Sequence, residues 1–174
     1  MNYFVYTEEI KITGKKIDGI KYSNITQEVE NAIQRSGIKN GCVIVKSLHT
    51  TAAPIDLKSI LANQEDERGL KKDIKNNLNE IIKCWLKNLE NKFPEKIYYE
   101  HDDFCLREEN IGNDEPKNGH SHIKALASCP SAALVEIVKN GRLLKGDWQM
   151  LLFFDFDPEN RPPRTLVIQV MGTK

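Results

Sequence analysis

The dipeptide Asn140-Gly141, set between the runs Ala132 to Val138 and Arg142 to Leu144, constrains this chain more than any other feature. Both residue types accept the positive φ that a two-residue hairpin loop requires, so the flanking runs read as antiparallel neighbours. Two more runs, Trp148 to Phe156 and Leu166 to Met171, follow with strand-like character. The C-terminal half is therefore expected to be rich in sheet.

The N-terminal half mixes two periods. Tyr3 to Ile12 carries aromatic and branched residues in partial alternation, and Ile17 to Tyr22, interrupted by Gly19, reads as a second strand or a hairpin. Asn24 precedes a helical pattern through Ile25, Val29, Ala32 and Ile33, which closes at Gly37, where a left-handed cap is common. Gly41 to Leu48 reads as a buried strand that delivers His49 at its end, and Pro54 to Gln64 as a loop or short extra helix. From Glu65 to Leu89 the residues Leu70, Ile74, Leu78, Ile81, Ile82, Trp85 and Leu89 form one stripe against lysines and asparagines, the mark of a long core-facing helix. Ile97 to His101 reads as a short strand, and residues 102–119 as a long loop of the kind that carries function in a compact domain. The expectation is an α+β fold, with residues 1–174 as a single domain, a length that suits one full core.

Charge removes one class of function. Lys and Arg together number 25, as do Asp and Glu, so the basic surplus of a general nucleic-acid binder is missing. No apolar run is long enough to span a bilayer and the first residues do not resemble a signal peptide, so no membrane partner is expected and the expected compartment is the cytoplasm. The cysteines at 42, 84, 105 and 129 lack the paired spacing of zinc ribbons or redox motifs and read as reduced, mostly buried thiols.

The chemistry points to the histidines. His49 and His101 end strand-like segments, and His120 and His122 lie in Asn118-Gly119-His120-Ser121-His122-Ile123-Lys124. In an extended segment the last two would share a face with Lys124. Histidine ligates transition metals and titrates near neutral pH, so three or four at strand ends point to a metal or a phosphate site. Lys124 is a point charge for phosphate or carboxylate, and Thr50 and Thr51 are hydroxyl donors to the same anion. Arg161 and Arg164 flank Pro162-Pro163, a rigid mount for a cation that clamps phosphate. Glu65 is a candidate general base, although the acidic run at a helix start is also explained by the helix dipole. Each feature has an ordinary counterpart: structural histidines, a surface lysine, strand threonines and a solvated turn. The chain has no phosphate-cradling glycine motif, dinucleotide fingerprint or nucleophile elbow.

Several of these pieces occur together in one known family. Ile25-Thr26 through Gly37 and Gly41, the run His49-Thr50-Thr51-Ala52-Ala53, Asn118 with His122-Ile123-Lys124-Ala125, Asn140-Gly141-Arg142-Leu143, Gly146-Asp147-Trp148-Gln149 and Asp155-Phe156-Asp157 together resemble the YjbQ-like family, whose members are described as secondary thiamine-phosphate synthases. The resemblance implies an α+β fold with a β-sandwich-like core and a few flanking helices, a homotrimer, and a histidine-lined site for a metal ion or an anion. It also implies weak thiamine-phosphate synthase activity. By motif, the site residues it implies are His49, His122 and His101, with Thr50, Asn118 and Lys124 beside them. The chain departs from the family pattern at four places. Extra residues after Ala53 leave either Gln64 or Glu65 at the family's glutamate position, Asp147 replaces a threonine, the arginine-containing turn is stretched by Pro158 to Pro163, and His120 stands where relatives carry a small or acidic residue.

The resulting expectation is a metal-assisted transferase acting on a phosphorylated small molecule. His49, His101 and His122 would hold a divalent ion, zinc or magnesium. Glu65, Lys124 and Asn118 would serve the chemistry, and Thr50, Thr51, Arg161 and Arg164 the substrate. The alternative is a non-enzymatic regulatory trimer that binds a metal or a metabolite.

Overall fold

Leu151–Asp155, a strand with every residue buried, lies at the centre of the fold. The computed structural model describes residues 2–56, 67–99, 102, 117–146, 149–159 and 161–174. In chain order the elements are β1 (Phe4–Ile12), β2 (Lys15–Ile17), β3 (Ile20–Asn24), α1 (Thr26–Ser36), β4 (Asn40–Ser47), β5 (Ala52–Asp56), α2 (Glu67–Lys92), α3 (Gly119–Ser128), β6 (Ala133–Lys139), β7 (Arg142–Leu143), β8 (Leu151–Asp155) and β9 (Arg164–Thr173). Among the described residues they form two sheets, ordered β1-β9-β4-β6-β7 and β2-β3-β8-β5, in which every pairing is antiparallel.

The strand β8 explains the layering. Side chains alternate across a strand, so Leu151 and Phe153 face one way and Leu152 and Phe154 the other. The first pair packs with Val43, Val45, Leu166, Ile168 and Val170 of the larger sheet and with Val29, Ala32 and Ile33 of α1. The second pair packs with Ile81, Ile82, Trp85 and Leu89 of α2 and with Ala125 of α3. The β-sandwich-like core with flanking helices is thus present. An unbroken apolar run such as Leu151 to Phe154 is what a strand covered on both faces requires.

Local signals account for most boundaries. Asn140 and Gly141 have φ of +52° and +74° and close the β6–β7 hairpin in register Lys139↔Arg142. Asp18 and Gly19 do the same between β2 and β3, so Ile17 to Tyr22 is a hairpin. Gly37 takes the left-handed conformation at the end of α1, its N–H donating to the Gln34 carbonyl.

Four expectations need correction. Ala52–Asp56 is a strand, and its Pro54 is accommodated because β5 lies at the edge of its sheet. Residues 97–99 are not a strand: they make no sheet pairing among the described residues, the Tyr99 hydroxyl donates to the Pro94 carbonyl, and the Tyr99 carbonyl accepts the Asp102 N–H. Cys84 is exposed on α2, although Cys129 is buried. Residues 119–128 form the helix α3 and not an extended segment, which separates His120 from His122 by about 200° around the helix axis. His101, Glu65, Gln64, Cys105 and Asp147 lie outside the described residues. No described helix is long and apolar enough to cross a membrane.

Candidate functional site

The site forms where β4 passes into β5, β8 leaves its sheet, β9 begins and α3 starts. Ser47 shapes the first turn, its hydroxyl donating to the His49 carbonyl and accepting the His49 N–H, both at 3.1 Å. Leu48, His49, Thr50 and Thr51 then line one side of a cavity of about 200 Å³, and Asn118, His122, Asp157, Arg161 and Arg164 line the other. Five of the expected site residues besides His49 and Thr50 thus meet at one place: Thr51, Asn118, His122, Arg161 and Arg164.

The two arginines differ in role. Arg164 is buried and grips Asp155 through Nε and a terminal nitrogen, each 2.9 Å from a carboxylate oxygen. It also donates to the Asp157 carbonyl and, at 3.3 Å, to Thr51 Oγ1. This bidentate pair holds the end of β8, the Thr51 turn and the start of β9 together. Arg161 is 29% exposed and binds Asp157 Oδ2 at 3.1 Å. It is the more available cation of the two.

Asn118 stands at the N-cap of α3, yet its side chain makes no capping bond. Its Nδ2 donates instead to Asp157 Oδ2 at 2.7 Å, while Asp102 accepts the N–H of Gly119 at the helix start. Asn118 Oδ1 is buried with no hydrogen-bond partner among the described residues, an acceptor that carries a desolvation cost. Asn118, Asp157 and Arg161 also line a larger cavity of about 420 Å³, whose other walls include Lys117, His120, Ser121 and Phe156. The two cavities therefore adjoin across a three-residue wall.

His49 is held through its ring. Nε2 accepts the backbone N–H of Thr165 at 3.0 Å. Burial lowers its pKa below the usual histidine value, the charges of Arg164 and Lys11 lower it further, and Asp155 offsets only part of this. The ring is neutral near pH 7. His49 does not fit a metal ion through Nε2, because the lone pair that would ligate is already engaged. Among the described residues no group of three or more His, Cys, Asp or Glu side chains is placed to hold a metal.

His120 lies one helical face away, in the larger cavity. Ser121 Oγ gives its proton to the Phe156 carbonyl at 2.8 Å, so at 3.1 Å it accepts from His120 Nε2. Burial and then the charge of Lys124 lower the pKa of His120, against smaller opposing effects of Glu95, Glu90 and Asp102. In the neutral ring this leaves Nδ1 with the lone pair.

Lys124, expected beside the substrate, is absent from the residues lining either cavity. It is buried and pairs with Glu90 Oε2 of α2 at 2.5 Å. Partial burial raises the Glu90 pKa, but the Lys124 hydrogen bond, the Glu95 N–H and the charges of Lys124 and His120 outweigh it and leave the carboxyl below its usual value of 4.5. A depressed folded-state pKa contributes stability that is complete above that usual value and is lost as pH falls through the folded value. Glu90→Gln is therefore expected to flatten the acid limb of stability below pH 4.5. The effect should be small because the side chain is 49% exposed. Urea midpoints measured from pH 6 down to about 3 check this, and parallel curves for the two proteins would contradict it.

Asp155, Asp157 and the Thr165 backbone were not expected as parts of the site. The signal for the carboxylates was present: Asp155 ends a strand that is otherwise entirely apolar, Asp157 follows two residues later, and carboxylates so close to a buried run need polar partners. Nothing in the sequence marks the Thr165 N–H.

Residues 8–173 match the family model described as UPF0047 protein YjbQ-like. The UPF0047 protein YugU of Bacillus subtilis is 30% identical over 149 residues, covering 86% of this chain and 88% of that protein. A UPF0047 protein of Methanothermobacter thermautotrophicus is 30% identical over 165 residues, covering 94% and 92%. Among solved structures, a YbjQ-like protein of unknown function from Sulfolobus solfataricus P2 superposes with a TM-score of 0.67 at 25% identity, covering 98% of this chain and 99% of that one.

Proposed function

This chain belongs to the UPF0047 (YjbQ-like) family, and we propose from the geometry of its site that it is an enzyme acting on a phosphorylated small molecule at the cavity lined by His49 and Arg161. The observation that carries this reading is the position of Arg161, a part-exposed guanidinium in the wall shared by two adjoining cavities. Thr50 supplies a hydroxyl beside it, and the N-terminus of α3 adds the positive end of a helix dipole. One cavity receives the phosphate and the other has room for a second reactant.

The specific reaction we propose is the thiamine-phosphate synthase type. The ring nitrogen of a thiazole phosphate attacks the methylene carbon of a pyrimidine diphosphate; the carbon–nitrogen bond forms as the carbon–oxygen bond breaks, and pyrophosphate leaves. The attacking nitrogen carries no proton, so the site's task is to stabilise negative charge growing on the leaving oxygen. Arg161 and the threonine hydroxyls are the groups suited to it.

Arg161→Gln is expected to lower product formation from the two precursors about 10- to 100-fold, the range for losing one charge-assisted donor of about 1.5–3 kcal/mol. Pyrophosphate binding with no product from the wild-type protein would favour the non-enzymatic metabolite-binding reading instead.

We also propose the homotrimer. Strand register aligns Val5, Met171, Cys42 and Ile137 in one row across the larger sheet, and Ile44 with Val135 in the next. Val5, Val135 and Ile137 are more than half exposed, an apolar face suited to burial between copies. Light scattering is expected to give three times the chain mass of 19.9 kDa, and a Val135→Lys/Ile137→Lys variant a lower mass. A wild-type monomer would contradict the assembly.

A further inference from the structure

We infer that His49 is a hydrogen-bond donor to a phosphate oxygen and not a metal ligand, so that the smaller cavity takes up a phosphate or pyrophosphate group directly, without an intervening metal ion. The inference rests on the phosphate reading above and deepens it. Its basis is the Thr165 N–H, which points at His49 Nε2 from the start of β9 at 3.0 Å. Thr165 is buried, its carbonyl accepts the Leu48 N–H and its hydroxyl accepts Lys11 Nζ, so three of its polar groups are committed to this corner. Turning the ring over would set a carbon against the N–H and leave a buried backbone donor without a partner.

A neutral imidazole has one lone pair and one proton. With the lone pair on Nε2 engaged by Thr165, the proton resides on Nδ1, the remaining polar atom of a ring that lines the cavity. A metal at Nε2 would have to displace a buried backbone bond, and a metal at Nδ1 would have to displace the ring proton and leave an imidazolate. Neither cost arises when Nδ1–H donates to an anionic oxygen. The neighbouring groups suit the same ligand. Thr51 Oγ1 accepts from Arg164, which leaves its own proton to donate, and Arg161 contributes charge. Asp157 is the acidic group in this wall, and its carboxylate is already bound by Asn118 and Arg161. Beside one acceptor, Asn118 Oδ1, and the Asp157 carboxylate that Arg161 and Asn118 bind, the groups contributed by His49, Thr51 and Arg161 are donors, which suits a phosphate oxygen better than a cation.

The test uses the full-length protein dialysed against a chelator and titrated calorimetrically with pyrophosphate, alongside His49→Ala and ¹⁵N-histidine NMR of the unmodified chain. The expected result is metal-free binding, weakened at least about 10-fold in His49→Ala, the loss of one charge-assisted donor, with a His49 spectrum showing the Nδ1–H tautomer. Equal binding by wild type and His49→Ala would overturn the role of His49 while leaving the phosphate reading intact. Binding that appears only on adding a divalent ion, and is lost in His49→Ala, would overturn the inference in favour of ligation. A chain that binds no pyrophosphate with or without metal would overturn the phosphate reading itself. Should His49→Ala fail to fold, the tautomer in the wild-type protein decides: a proton on Nε2 overturns the inference.

Discussion

Arg164→Met is expected to destabilise the protein by about 3–5 kcal/mol, the range for removing one partner of a buried ion pair. The side chains of Arg164 and Asp155 are 8% and 7% exposed, and the pair is bidentate. Removing the guanidinium leaves a carboxylate in the interior with no countercharge, and the penalty is that of the stranded group more than of the lost attraction. Domains of ordinary stability have only about 5–15 kcal/mol to lose. A double variant, Arg164→Met with Asp155→Leu, is expected to recover most of the loss because it removes the stranded charge. Urea unfolding of the two variants checks both statements, and a single-variant loss below about 1 kcal/mol would show that water reaches the pair. The consequence extends to function, since the same guanidinium fixes Thr51 and the Asp157 carbonyl.

Phe154→Ala is expected to cost a similar amount, about 3–5 kcal/mol, by a different mechanism. Phe154 is fully buried, and its ring lies 4.9 Å from Trp85, 5.9 Å from Tyr22 and 6.1 Å from Phe156, centroid to centroid. These contacts fasten α2 to the small sheet, so deleting the ring opens a cavity between two layers that cannot both close on it. The loss should appear in urea unfolding together with a changed near-ultraviolet signal from Trp85. A cost under about 1 kcal/mol, with that signal unchanged, would mean that α2 is not docked through this cluster.

These two residues also show what could be read in advance. Phe154 belongs to an apolar run whose strand character and burial follow from its pattern, and the stripe from Ile81 to Leu89 required a helix with one buried face. The Asn140-Gly141 turn was equally direct, since both positions need the positive φ they adopt. Pairings distant in sequence were not legible. Nothing local tells β9 to lie between β1 and β4, or Lys124 to meet Glu90 34 residues earlier. The relative orientation of His120 and His122 was hidden for a related reason. His120-Ser121-His122 alternates as a strand would, and only the helix starting at Gly119 turns the two rings to different faces. His49 was correctly placed at a strand end, but its partner is a backbone N–H 116 residues away, which no side-chain pattern records. The set of residues that meet was therefore more readable than what each does there.

The claim that this cleft receives a phosphate group is tested most directly by titrating pyrophosphate into the chelator-treated protein and into Arg161→Gln. Saturable binding by the wild-type chain, weakened about 10-fold or more by the loss of that charge-assisted donor, is the result expected. Failure of the wild-type protein to bind, with or without a divalent ion, would contradict the claim.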